Sequence, residues 1–410
     1  MPLVEFPRFS VEEQKKITGK VAWIRDALLK NLHTFHAFPE GPVLKVGDIY
    51  PGIWLEHNQD NLFLAELDPQ SAWCSQEIFM HWQRADGLLP FMVAVKPLDE
   101  CIGFPDHKEV GYWHVQTVYS FVRCALEIAR KTGRPESDLQ RIYQAGIRYD
   151  EWFGKYRNRL KTGLAEMFCE YDTGHDKDPR VTDGNIPGTC PGLDAANMPD
   201  LPVLPILSVD LSAALYGGRT ALAEIAETLG RTEEAEAWRK KAEETRRAIR
   251  ELLYDPADDF YYDRNRSGFR KYRTEHITRL FLNHVLTQAE FDSIYERYFT
   301  VPGTGFCAPY PIPAVALDDP HFDRSCPKNS WACNTQALTT LRAILWMDHY
   351  GRQDDLTALL ATWLRAIADH PETTCQQELN PFTGAPVGSG VNYSPTLLIY
   401  LEAVKRLNWI

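Results

Sequence analysis

A Gly-Arg pair between two helical patterns occurs three times in this chain, and no other feature limits the fold as much. It stands at Gly133-Arg134, Gly230-Arg231 and Gly351-Arg352. In "TALAEIAETLGRTEEAEAWRKKAEETRRAIRELLYD", Leu222, Ile225, Ala226 and Leu229 fall at i, i+3, i+4 and i+7, one helical stripe. Gly230 ends that helix in the left-handed region, where a residue without Cβ is least strained. Thr232 is placed to cap the next helix, with Glu233 and Glu234 in its first turn. Ala235, Trp238, Ala242, Ile249 and Leu252 form its apolar face. Two amphipathic helices joined by so short a turn pack antiparallel. "ALEIARKTGRPESDLQRIYQAGIRYDEWF" and "LTTLRAILWMDHYGRQDDLTALLATWLRAIADH" repeat the design. Ser10/Glu13, Ser137/Gln140 and Thr287/Glu290 have capping-box spacing.

Between the hairpins run long segments rich in Pro, Gly and aromatic residues, near 36–59, 86–112, 164–204, 255–275, 300–330 and 371–392. Loops this long are functional or disordered, and their Trp, Tyr, Cys and Pro content speaks against disorder. Period-two alternation is confined to the short "DDFYYD", so the chain reads as all-α, with roughly ten to twelve helices. Six hairpins with long loops on one side predict a closed ring, an (α/α)6 toroid whose loops form a funnel. An α-solenoid would show even repeats of roughly 34–47 residues, and the spacing here is uneven. One such ring accounts for residues 1–410 as a single domain.

The net charge of -12, with no basic block, argues against nucleic acid or an anionic membrane as the main partner. The N-terminal "MPLVEFPRFSVEEQKK" lacks a signal pattern, and no run of about 18 apolar residues exists. Nine scattered cysteines without a C-x-x-C pair read as reduced thiols in a cytoplasmic protein. There is no H-E-x-x-H, G-x-S-x-G, P-loop or G-x-G-x-x-G, so neither a metal nor a cofactor is expected.

Chemistry-bearing residues gather in the loops. "CEYDTGHDKDPR" holds Glu170, Asp172, Asp176 and Asp178, with Gly174 permitting a tight bend between the two middle acids. Alone, the run fits a polar loop as well as a site. Its spacing is not that of a calcium loop. "QQELNPFTGAPVGSG" places Glu378 before the Asn380-Pro381 turn, with Gly384, Gly388 and Gly390 close by. "IWLEHNQDNLF" loads Trp54, Glu56, His57, Asn58, Gln59, Asp60 and Asn61 at one helix start. Trp113 and Gln116, and Trp331 and Asn334, repeat an aromatic-plus-amide pairing at i, i+3. Amides and acids beside aromatic rings suit vicinal hydroxyls and sugar faces, so a small carbohydrate is the expected partner.

These stretches resemble a known clan. "DTGHDKDPR" resembles the "SGWD/SGMD-xS-PR" segment shared by trehalases, processing α-glucosidase I and bacterial mannosylglycerate and glucosylglycerate hydrolases, of the glycoside hydrolase family 63 type. "ELNPFTGAPVGSGVNYSPTLLIYL" resembles its late "E-x-Y-[ND]-P-x-TG" segment, "KNSWACNTQAL" its "W-x-x-N" motif and "NQDNLF" its "WDS-x-F" motif. The resemblance runs in order along nearly the whole chain. It implies an (α/α)6 barrel and an inverting glycosidase acting on small α-linked glucosides or mannosides. Asp176 would be the general acid and Glu378 the base, roughly 6.5–9.5 Å apart to admit a water. Asp172 would help raise the pKa of the acid, and Trp54, Asp60, Asn61, Trp113, Gln116, Asp172, Trp331, Asn334 and Gln377 would contact substrate. Arg180, Arg324 and Lys328 are candidate partners for an acidic aglycone, with Arg180 more suited to anchoring the loop.

The chain departs from the pattern in two places. The family's base stands three residues before the turn Asn, which here is Gln377, and the acid Glu378 follows one residue later. His175 stands where the family has an apolar or aromatic residue. A sugar epimerase or lyase using His57, His114 or His175, and a binding protein without catalysis, are the alternatives.

Overall fold

The computed structural model describes residues 9–98, 108–369, 375–387 and 392–409. Its helices are α1 Val11–Lys30, α2 Asp60–Leu64, α3 Pro69–His81, α4 Phe121–Lys131, α5 Glu136–Tyr156, α6 Pro179–Thr182 and α7 Val209–Thr228. They continue with α8 Thr232–Leu253, α9 Thr278–Leu282, α10 Gln288–Phe299, α11 Ala337–His349, α12 Gln353–Asp369 and α13 Ser394–Arg406. Six of them form a closed inner circuit. α2 packs on α4, α4 on α7, α7 on α9, α9 on α11, α11 on α13, and α13 returns to α2. Behind them stand α3, α5, α8, α12 and α1 on α2, α4, α7, α11 and α13 respectively. α10 backs α9 through Phe291 against Phe281, ring centroids 4.9 Å apart.

Sequence explains which helices are inside. In α11 every residue from Ala337 to Ile344 is buried, as a helix enclosed on all sides requires. The outer α8 buries only a stripe, Ala235, Ala242, Thr245, Ile249 and Leu253. The Gly-Arg junctions form as expected. Gly133, Gly230 and Gly351 have φ of 63°, 72° and 71°. The next N–H in each case closes on a carbonyl five residues back: Arg134 to Ala129, Arg231 to Ala226 and Arg352 to Met347, at 2.8–2.9 Å. The same closure ends α9 and α13 with His284 and Asn408 in the left-handed position, both at φ 55°.

Three expectations change. Ser137 and Gln140 form no capping box, because Pro135 sets the turn and the helix begins at Glu136. Thr232 is the first helical residue rather than the cap, since Arg231 is the residue the Gly230 turn delivers to that place. The chain is also not purely α. Thirteen strands of two to seven residues are present among the described residues. They lace the long loops together: Gly52–Trp54 pairs with Met92–Ala94, Glu166–Met167 with Ile206–Leu207, and Thr335–Gln336 with Glu378–Leu379. Strands of two or three residues are too short to show a period, so most of these leave no sequence signal, "DDFYYD" excepted, where Phe260–Tyr261 pairs with Tyr254–Asp255.

Candidate active site

Inner helices start on the long-loop side, and the acidic residues collect there. A 3-10 turn over Glu170–Thr173 ends at Gly174, whose φ of 71° swings the chain towards Asp176. A Cβ on Gly174 would lie 2.3 Å from Glu56 Oε2, so only glycine lets the loop approach this carboxylate. The Trp331 N–H donates to the Asp176 carbonyl at 2.9 Å and fixes the loop from the other side. Asp176 is half-buried. Burial first, then the charges of Glu56 and Glu170, push its carboxyl up to about 7, against the pull of Lys177. A carboxyl that keeps its proton near neutrality can protonate a leaving group.

Asp172 does something different from what the resemblance implies. It is fully buried and receives five N–H donors. Arg157 supplies two, at 2.5 and 3.0 Å, and the backbones of Phe168, Cys169 and Val115 supply the others at 2.7–3.2 Å. Burial raises its pKa, but Arg157 and these donors outweigh that and hold it below the usual range. It anchors the loop and has no lone pair left for a sugar. Cys169, Asp172 and Cys190 lie within 4.8 Å of one another, yet a cation there would have to displace Arg157. Arg180 is likewise an anchor, donating to Asp210 and Asp263 at 2.8 Å each and to His175 Nδ1 at 2.7 Å.

Glu378 also differs from expectation. Its strand pairs with Thr335–Gln336, which turns the side chain into the 329–336 segment. Oε2 accepts from the Asn329 N–H at 2.9 Å and Asn334 Nδ2 at 3.3 Å, and Oε1 from the Ser330 N–H at 3.1 Å and Gln336 Nε2 at 3.0 Å. Four donors fill the four lone-pair sites of a carboxylate. A base needs one of them free, so this environment does not suit Glu378 to that role. Gln377 points to the opposite face of the strand, where its Oε1 accepts from the Tyr50 hydroxyl. Tyr50 is half-buried, and Asp176, Glu378 and Glu56 add to the burial that holds its proton on.

The expected sugar contacts divide. Trp54 is half-buried at the end of its strand, edge-on to Tyr50 with centroids 5.5 Å apart. Trp113 is half-buried against Phe91. Gln116 donates to Glu56 Oε1 at 2.7 Å. It sits at φ 38° in an irregular segment rather than at a helix start, since α4 begins only at Phe121. Asp60, Asn61, Trp331 and Asn334 are buried in the frame beneath. Asp60 accepts from Gln59 and faces His57, Asn61 bonds the Asn58 carbonyl, Trp331 packs on His175, and Asn334 holds Pro327 and Glu378. Trp331 and Asn334 precede α11 rather than sharing a helical turn.

His57, His114 and His175 are buried too. Burial pushes His114 and His175 down to about 4, so both are neutral imidazoles at neutral pH. Gly388 and Gly390 lie outside the described residues. Sequence reasoning did not single out Glu56, Tyr50 or Glu170 as site residues. Glu56 stood in the polar run before α2, but nothing in its spacing set it apart from its neighbours.

Residues 61–396 match the family model of the mannosylglycerate hydrolase MGH1-like glycoside hydrolase domain. Mannosylglycerate hydrolases MGH2 and MGH1 of Selaginella moellendorffii are each 26% identical over 151 residues, which is 34% of this chain and 30% of either relative's length. Among solved structures, the GH63 mannosylglycerate hydrolase from Thermus thermophilus in complex with Tris superposes with a TM-score of 0.70 at 18% identity, covering 93% of this chain and 99% of that one. The neutral trehalase Nth1 from Saccharomyces cerevisiae gives 0.65 at 14% identity, covering 92% of this chain and 76% of the trehalase. The fold is thus shared with these structures, and the chain belongs to the mannosylglycerate hydrolase MGH1-like glycoside hydrolase family.

Proposed function

We propose that this protein is an inverting α-glycosidase. Its substrate would be a small α-linked mannoside or glucoside, with mannosylglycerate the first candidate. Residues 1–410 would act as one (α/α)6 domain in the cytoplasm, without cofactor. The observation that carries the proposal is the carboxyl of Asp176, half-buried among loops and protonated up to about pH 7. In the reaction, Asp176 gives its proton to the glycosidic oxygen while a second carboxylate takes a proton from water. The water oxygen bonds to the anomeric carbon as the bond to the leaving oxygen breaks, and the configuration inverts. Trp54, Trp113, Gln116 and Gln377 would face the sugar. Lys328 and Arg324 stand exposed on the segment leading to Asn329 and would suit an acidic aglycone. The Thermus thermophilus enzyme has been solved with glucose, and with Tris and D-glycerate, which supports this substrate class.

The test is time-resolved NMR with α-mannosylglycerate, α-glucosylglycerate and trehalose. Release of the free sugar first as its β-anomer is expected, with Asp176→Asn lowering kcat by about 10²–10⁴-fold. Absence of free sugar from all three, or first release of the α-anomer, would count against the proposal.

A further inference from the structure

An inverting pair needs two carboxylates, and the structure narrows the choice of the second. Glu378 has both oxygens filled by the N–H groups of residues 329, 330, 334 and 336. Gln377 is an amide and cannot take a proton at neutral pH. Asp172 faces Arg157 within the wall. Glu170 lies on the same loop as Asp176, and its Oε1 accepts the Lys177 N–H at 2.8 Å. Glu56 differs from all of these. It comes from another part of the chain and meets the acid loop at Gly174, where Oε2 fills the room a Cβ would need. Gln116 Nε2 holds its Oε1 at 2.7 Å. Arg342, a buried cation, donates to its carbonyl at 2.8 Å and to Oε2 at 3.4 Å. Each oxygen of this carboxylate therefore has one donor where each oxygen of Glu378 has two, and Oε2 keeps acceptor capacity on the side of the acid loop.

We propose that Glu56, rather than Glu378, is the base that takes the proton from the attacking water, and that Glu378 is a positioning residue for the 329–336 segment. This rests on the hydrolase reading above. The balance is simple: water gives one proton to Glu56 and its oxygen to the anomeric carbon. Asp176 gives one proton to the leaving oxygen, and proton exchange with solvent resets both acids. Gln116 would be a second positioning residue, fixing Oε1 so that Oε2 faces the water.

The experiment compares wild type, E56Q, E56D and E378Q as full chains, on the α-glycoside that wild type turns over, with and without sodium azide. Azide needs no deprotonation to act as a nucleophile. E56Q is expected to lose about 10²–10⁴-fold in kcat, to regain at least about tenfold with azide, and to yield the β-glycosyl azide. E56D, which keeps the charge but withdraws it by one methylene, decides the matter if E56Q fails to fold, and should lose about 10²-fold in kcat with KM little changed. E378Q should unfold at a lower temperature and show no azide product. The assignment is overturned if E56Q or E56D works within a few-fold of wild type, if E56Q is inactive without azide rescue, or if azide rescues E378Q instead. A wild type that cleaves no α-glycoside overturns the hydrolase reading itself, an outcome seen before any variant is made.

Discussion

Asp176 owes its proton to its surroundings, and those surroundings can be altered one charge at a time. Burial is the largest cause of its raised pKa, then Glu56, then Glu170, with Lys177 opposing. The acid must be protonated to act, so kcat/KM is expected to fall as pH rises through about 7. Glu170→Gln removes a negative neighbour, makes ionisation easier, and should move that limb to lower pH. Lys177→Gln removes a positive neighbour and should move it to higher pH. Both groups touch solvent, so shifts of about 0.2–0.5 pH units are expected. Profiles that move together, or not at all, would detach the limb from Asp176. The same raised pKa disfavours the folded state as pH rises, since the unfolded carboxyl has already ionised by about pH 4. Asp176 is readable in the sequence through the motif around it. Glu56 is not, because 120 positions separate the two and only the fold brings Glu56 against Gly174 of the acid loop. Asp172 escapes a correct reading for a related reason. Its partner Arg157 lies fifteen positions earlier, before the two-residue strand Glu166–Met167, and no local pattern shows that a carboxylate will be turned inward.

Glycines with the same backbone conformation play different parts at the level of elements. Gly230 closes α7 at φ 72°, with nothing within 4 Å of where a Cβ would stand. Gly230→Ala should therefore cost only the strain of the left-handed region, about 1 kcal/mol, read from the midpoint of urea unfolding, with activity unchanged. Gly174 has nearly the same φ, 71°, but its Cβ would strike Glu56. Gly174→Ala should cost kcat at least about tenfold, by displacing the acid loop from its neighbour. Equal activity losses in the two variants would mean that Gly174 acts only as a turn. The three Gly-Arg turns and the boxes at Ser10 and Thr287 are legible because each is a local device with a fixed spacing. The turns at His284 and Asn408 are not, since residues with side chains there carry no such signal. Apart from the one within "DDFYYD", the two-residue strands are invisible because pairing, not periodicity, creates them. They are also what turns Glu378 away from solvent and into the donors of the 329–336 segment.

The molecule as a whole closes through its two ends. Hairpins adjacent in sequence can be read from their turns, but the sixth pair joins α1 to α13, and no local feature announces that partnership. α1 buries Ile17, Ile24, Ala27 and Leu28 and packs on α12 and α13. The Tyr400 hydroxyl donates to the Ile17 carbonyl at 2.9 Å. Lys16 with Asp369 and Arg365 with Glu13 add ion pairs at 2.7 and 3.0 Å, but these are solvent-exposed and contribute little. The apolar contacts carry the closure. Burying Ile17, Ile24 and Leu28 is worth about 1.5–3 kcal/mol each, a sum that rivals the net stability of about 5–15 kcal/mol typical of a folded protein. A ring also has no spare stability at its joint, because every inner helix is supported from both sides. Deleting residues 1–31 should therefore unfold the whole ring rather than fray one edge. Calorimetry of the full chain is expected to show one transition with matching van't Hoff and calorimetric enthalpies, and the deletion variant none. A deletion variant that still melts sharply, or a full chain that melts in two separate steps, would show that the ring is held in independent parts. The acid loop and the segment clamped by Glu378 would then be free to move apart, since the Trp331 N–H that ties them rests on the closed circuit of helices beneath.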